Sequence, residues 1–235
     1  MDIYAATGAL LDLLFPRRCL VCAVFLSHPL SYPSPDKGLE PYLCFACRHQ
    51  LHLCAITSEQ PKLLQGEKVF SGYLYGGALG KIIPLWKYQA RNEFFPLIRM
   101  MLTLALTQLE SSALDCDLIV ALPLTPRALR KRGFNQAFFI ASSLALFLER
   151  PLGRNLLRKI ADTPRQASLD RQARLHNVRS DIFQVSDPAR IAGRHILLCD
   201  DVLTTGTTLS AAAGALKNAG AGRVTAFTLA RVPPA

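Results

Sequence analysis

Two carboxylates stand side by side at Asp200 and Asp201, and four threonines and one glycine follow them within seven residues. In the run HILLCDDVLTTGTTLSAAA, residues 195–213, an apolar stretch gives way to this acidic pair and then to a loop with almost no side-chain bulk. ILLC reads as a buried strand, which places both acids at its carboxyl end, where α/β sheets bind ligands. TTGTT then forms a turn whose backbone N–H groups can converge on an anion. Gly206 allows close approach, the threonine hydroxyls add donors, and the following helix turns its positive end to the same spot. The acids would repel that anion, so their own partners are hydroxyl donors or a cation. A sugar carrying both hydroxyls and a phosphate satisfies the whole stretch; an exposed turn after an acidic strand end is the plainer alternative.

A second constellation lies near the other end of the chain. Cys19/Cys22 and Cys44/Cys47 form two C-x2-C pairs with 21 residues between them. Each pair presents two thiolates to one tetrahedral ion, and the spacing is close to that of zinc ribbons. Residues 17–60 are loop-rich, with five of the seven cysteines and three histidines, and would not fold on apolar burial alone. A structural Zn²⁺ can supply on the order of 10 kcal/mol to such a segment. Four thiolates leave the metal no open position, so the expected role is structural; buried thiols without metal are the alternative. His49, His52 and Cys54 read as ordinary residues, and Cys116 and Cys199 as core thiols.

Two basic stretches complete the set. ALPLTPRALRKRGFNQA, residues 121–137, places Arg127, Arg130, Lys131 and Arg132 directly after an apolar run, where they could hold a pyrophosphate or simply form a solvated face. TPRQASLDRQARLHNVRSDIF, residues 163–183, carries Gln166, Arg171, Arg174 and Asn177 and reads as a closing loop or a charged surface helix.

These groups need a scaffold, and the hydrophobic pattern supplies one. Ile3, Leu10, Leu11, Leu13, Leu14 and Phe15 predict a short amphipathic helix over 2–15, stopped by Pro16. Strands are expected at 69–75, 117–123, 195–200 and 223–230. Helices are expected at 77–89, interrupted at Pro84, and at 94–110, 134–150 and 208–219, the last capped by Gly220. Alternating strands and helices imply an α/β fold with a mainly parallel sheet.

ILLCDDVLTTGTT resembles the phosphoribosyl pyrophosphate signature of type I phosphoribosyltransferases. The resemblance implies that Asp200 and Asp201 contact the ribose hydroxyls, with one of them available as a catalytic base. It further implies that Thr204, Thr205, Gly206, Thr207 and Thr208 hold the 5′-phosphate, and that Mg²⁺ bridges ribose and pyrophosphate. Cysteine knuckles, then PLTPRALRKRGFNQ, then TPRQASLDRQARLHN, then DDVLTTGTT, in that order, resemble the ComF family of bacterial competence and DNA-utilisation proteins. Lys87 in LWKYQ is a lesser candidate from the same family pattern. The chain thus divides into 1–60, an N-terminal helix and four-cysteine zinc segment, and 61–235, a phosphoribosyltransferase-like domain. The family implies DNA uptake or use of DNA as nutrient. The pocket is either a phosphoribosyltransferase site or a non-catalytic module, the latter binding single-stranded DNA or a helicase partner.

Bulk properties agree with these classes. The 235 residues are 50% hydrophobic and 19% charged, which excludes a chain disordered by composition. Lysines and arginines outnumber acids 27 to 17, a net charge of +10 that favours anionic partners. Aromatic residues, at 8%, do not interleave with the basic clusters as a base-stacking platform needs. The apolar start has an acid at position 2 and its cations afterwards, the reverse of a secretory signal, and no run is long enough to span a bilayer. A cytoplasmic protein with reduced thiols is the expectation.

Overall fold

The computed structural model describes residues 16–26, 37–54, 63, 67–89, 91–109, 113–160 and 182–233. The expected helix at 2–15 and the arginine-rich stretch with Gln166, Arg171, Arg174 and Asn177 lie outside them. In chain order the elements are α1 (Phe45–Arg48), β1 (Val69–Leu74), α2 (Leu79–Gln89), α3 (Phe94–Leu106) and β2 (Leu118–Ala121). Then come α4 (Pro126–Arg132), α5 (Gln136–Phe147), β3 (Leu157–Lys159) and β4 (Phe183–Val185). The chain closes with β5 (His195–Leu203), α6 (Thr207–Asn218) and β6 (Arg223–Arg231).

One sheet carries the domain, in the order β1–β6–β5–β2, with all three pairings parallel. β5 and β6 occupy its centre and are buried on both faces, which is why each reads as a nearly continuous apolar run. Alternation along β5 splits the core in two. Leu197 and Cys199 face a cluster built from α2, α3 and α5, whereas Ile196 and Leu198 face Leu209, Ala212, Ala213 and Leu216 of α6. β3 and β4 form a separate antiparallel pair. These two short strands were not foreseen, since three residues carry too little alternation to be recognised.

Two expectations about element limits are corrected. β5 does not stop at Asp200 but continues through Asp201 to Leu203, because β6 stays paired with it as far as Leu203 and Arg231. On its other side β2 ends at Ala121, opposite Cys199, so that half of the sheet does stop just short of Asp200. Helix α2 likewise runs unbroken through Pro84. An interior proline costs about 3 kcal/mol. Burial of Leu79, Ile82, Ile83 and Trp86, each worth about 1.5–3 kcal/mol, outweighs that.

The cysteine-bearing segment is folded against this domain. Arg18 and Phe25 bridge across the first knuckle, and the Leu20 amide donates to the Tyr42 carbonyl, joining it to the second. Leu39, Leu43, Cys19 and Cys47 belong to the same apolar cluster as Tyr73 and Leu102. Residues 52–54 then run antiparallel along the free edge of β1, with the Cys54 amide donating to Gly72 and the Leu74 amide to His52. This covers an edge that would otherwise expose unpaired backbone groups.

Candidate functional site

A cleft of ≈ 170 Å³ opens beside the end of β2, where the sheet is one strand narrower. Asp200, Asp201 and Thr208 line it from one side and Arg132, Asn135 and Gln136 from another. Lys87 of α2 and Lys159 of β3 also reach it.

Local structure fixes each group. Thr125 caps α4, its hydroxyl accepting from the Ala128 amide, with Pro126 at the first helical position. Gly133 ends that helix at φ +78°, a left-handed conformation favoured by glycine. Asn135 caps α5, accepting from the Ala137 and Phe138 amides, and its own Nδ2 donates to the Leu122 carbonyl at 3.0 Å. That bond ties the start of α5 to the end of β2. Lys87 is set by its neighbour Trp86, which is fully buried among Phe95, Phe134 and Phe139 at ring separations of 5.6–6.2 Å.

The paired acids have different surroundings because consecutive strand residues point to opposite faces. Asp201, on the side of α2, receives Lys87 Nζ at 2.7 Å in a largely buried ion pair. Burial raises Asp200 to about 7, and the adjoining Asp201 charge adds to the effect. The Asp201 amide donating to Asp200 Oδ1 at 2.8 Å, with Lys87 and Arg132 further off, only partly offsets this.

The threonine loop wraps the start of α6. Gly206 lies at φ +75°, and a side chain there would crowd Leu63 at 3.2 Å, so the turn needs glycine twice over. Thr204 and Thr205 are exposed, Thr207 and Thr208 half-buried, and Thr205 Oγ1 lies 3.0 Å from Thr207 Oγ1. Of these residues Thr208 lines the cleft. Of the four cations assigned to pyrophosphate, Arg132 lines it, whereas Arg127, Arg130 and Lys131 are exposed along α4. Lys159, Asn135 and Gln136 had no assigned role. Asn135 and Gln136 lie in the RGFNQ stretch that was singled out, but Lys159 carries no motif and joins the site through β3.

Cys19, Cys22, Cys44 and Cys47 bring their sulfurs within 4.8 Å of one another, with Cys22 and Cys44 at 3.6 Å. A tetrahedral zinc–thiolate site has bonds of about 2.3 Å and therefore sulfurs about 3.8 Å apart, so the set fits a zinc-ribbon-like centre. Burial opposes ionisation of Cys19, but hydrogen bonding to the backbone of Cys44, Cys22 and Val21 outweighs it and brings the thiol down to about 7. Burial and the neighbouring thiols push Cys47 up. His49, His52 and Cys54 are not part of the cluster. Among the described residues no helix is long and apolar enough to cross a membrane.

Residues 130–234 match the phosphoribosyl transferase domain family. The chain is 28% identical to the DNA utilization protein YhgH of Escherichia coli strain K12 over 198 residues, 83% of this chain and 85% of that one. It is 30% identical to the corresponding Salmonella typhi protein over 215 residues, covering 91% and 89%. With the competence protein ComFC of Bacillus subtilis strain 168 it shares 35% identity over 242 aligned positions, covering 91% and 94%.

The raised Asp200 has a consequence for stability. The folded protein keeps this proton up to about pH 7, whereas an unfolded chain releases it near pH 3.9. Between those values the fold binds the extra proton, so its stability falls as pH rises. Asp200→Asn should therefore raise the melting temperature of the ligand-free protein at about pH 8 and change it least near pH 4. Melting curves across that range with a pH-independent difference would reject the perturbed carboxyl.

Proposed function

The chain belongs to the ComF family of competence and DNA-utilization proteins, and on that premise we propose that its cleft binds phosphoribosyl pyrophosphate or a related ribose phosphate. The binding would take place with Mg²⁺, in the service of DNA uptake or of DNA use as nutrient. The observation that carries this is the junction of paired acids, a glycine-bearing threonine loop at a helix start, and cations from three elements around one cleft. Asp200 and Asp201 accept from ribose hydroxyls, residues Thr204 to Thr208 hold the 5′-phosphate, and Arg132 takes the pyrophosphate with Arg127, Arg130 and Lys131 nearby on α4. Mg²⁺ would be held largely by substrate and water and would neutralise charge on the pyrophosphate, which suits an ion that dehydrates reluctantly.

In the catalytic form of this reading an acceptor bonds to ribose C1′ while the C1′–oxygen bond breaks and its electron pair leaves with pyrophosphate. The protein's part is positioning and stabilisation of the leaving charge. Asp200, with its raised affinity for a proton, takes the one released by the acceptor. The arginine-rich stretch holding Gln166, Arg171, Arg174 and Asn177 is the connection between β3 and β4, whose ends stand beside the cleft at Lys159, and its role in this reading is a closing lid. The cysteine cluster holds a structural zinc ion.

A second reading places the physiological ligand on the cysteine segment. Phe45, exposed, lies 3.9 Å from the His49 ring, and the Arg18 guanidinium sits 4.1 Å over the exposed Phe25. An exposed ring under a guanidinium, with a second exposed ring against an imidazole, suits stacking against single-stranded DNA.

Four measurements decide among these. Calorimetry with phosphoribosyl pyrophosphate and Mg²⁺ should show binding that Asp200→Asn combined with Asp201→Asn abolishes, and pyrophosphate release with candidate bases separates transfer from binding alone; unchanged affinity in the double variant removes the sugar site. Metal analysis should give about one zinc per chain, lost when Cys19 and Cys44 become serine. For the DNA reading, oligonucleotide affinity should fall steeply with salt and weaken in Phe45→Ala, and a flat salt response rejects it.

A further inference from the structure

The mechanism above leaves one buried group at the cleft without a task. Gln136 is the first residue of α5, only 1% exposed, and lines the cleft. Its Oε1 accepts from Arg132 Nη1 at 3.3 Å, which fixes the orientation of the amide. Its Nε2, a two-proton donor, is buried with no hydrogen-bond partner among the described residues. The adjacent Asn135 does not share this condition, because its oxygen caps the Ala137 and Phe138 amides and its nitrogen binds the Leu122 carbonyl. The helix start therefore has its Ala137 and Phe138 amides already satisfied, whereas the Gln136 side-chain donor is not. A buried donor left unsatisfied is costly and uncommon in folded proteins, and one at a cleft wall is satisfied most directly by an acceptor on the ligand.

We propose that Gln136 is a binding residue that reads the diphosphate of the ligand, donating from Nε2 to a phosphoryl oxygen while Oε1 holds the Arg132 guanidinium against the same group. The proposal rests on the ribose-phosphate reading of the cleft. Gln136 touches Arg132, the cation of α4 that lines the cleft, which places it at the diphosphate rather than at the sugar. Lys159 lines the same cleft, so amide, guanidinium and ammonium come to it from α5, α4 and β3. Charge-assisted bonds of this kind are about twice as strong as neutral ones, which makes the amide a substantial part of anion affinity.

The test is calorimetry with inorganic pyrophosphate and Mg²⁺, and separately with ribose 5-phosphate, on the full chain. Gln136→Met is expected to weaken pyrophosphate binding about ten-fold or more in the wild type, to retain a smaller but measurable loss in an Arg132→Met background, and to leave ribose 5-phosphate affinity within about two-fold. Loss only when Arg132 is present means that Gln136 merely positions the guanidinium, and overturns the proposal. A loss confined to ribose 5-phosphate overturns it too. Should Gln136→Met fail to melt cooperatively, Gln136→Glu keeps the acceptor for Arg132 and removes the donor; pyrophosphate affinity at or above the wild-type level in that variant overturns the proposal. If the wild type binds neither ligand, the ribose-phosphate reading itself fails, whereas normal wild-type binding with an indifferent Gln136→Met sinks this inference alone.

Discussion

Two adjacent carboxylates inside a paired strand impose a condition that much of this fold is arranged to meet. Strand geometry sends them to opposite faces, so a single cation cannot neutralise both. Asp201 is met at 2.7 Å by Lys87. That ion pair depends on α2 reaching the end of β5, and α2 is held there by Trp86 in its box of phenylalanines, firmly enough that Pro84 does not break the helix. Asp200 has no ion pair among the described residues and relieves its burial by holding a proton near neutrality. Early termination of β2 gives both acids a cleft in place of a neighbouring strand. Removal of a strand partner at this point leaves room at the acids, where hydroxyl donors or a cation could do what protein groups do not.

The cysteine segment answers a different problem at the opposite edge of the sheet. β1 and β2 are the two edge strands, and residues 52–54 lie along β1 while the cleft lies at β2. Four closely spaced thiols could bind a zinc ion and so crosslink a segment poor in apolar burial, while Leu39 and Leu43 anchor it to the main core. The cysteine cluster and the cleft are thereby separated across the width of the sheet.

The strands and long helices were legible in the sequence wherever the hydrophobic pattern was long and uniform, as in Phe94–Leu106 and Arg223–Arg231. What was hidden has particular causes. The continuation of β5 through the acids depends on β6 remaining paired to it, a non-local fact that local polarity contradicts. Pro84 reads locally as a breaker, and its tolerance is decided by burial elsewhere on α2. At the cleft, Asp200, Asp201, Thr208 and Arg132 could be singled out because they sit in runs of like chemistry. Lys159 sits alone in a three-residue strand, and Gln136 looks like an ordinary first-turn residue until its burial is known.

The basic run on α4 shows how sequence clustering and spatial clustering diverge. Arg127, Arg130, Lys131 and Arg132 occupy one and a half turns of a helix, so they cannot share a single face. Arg132 is held into the cleft by Gln136 and by the Tyr88 ring 5.7 Å away, while the other three remain in solvent. Exposed charges interact with an approaching anion across water and are screened over a Debye length of about 8 Å at physiological salt. They raise the local concentration of an anion and speed its arrival, whereas a half-buried guanidinium with a fixed orientation governs how long it stays. In the proposed reading one helix would supply both attraction at a distance and a grip at contact, and the turn at Gly133 and Phe134, locked by the aromatic box, separates the cation that lines the cleft from those in solvent.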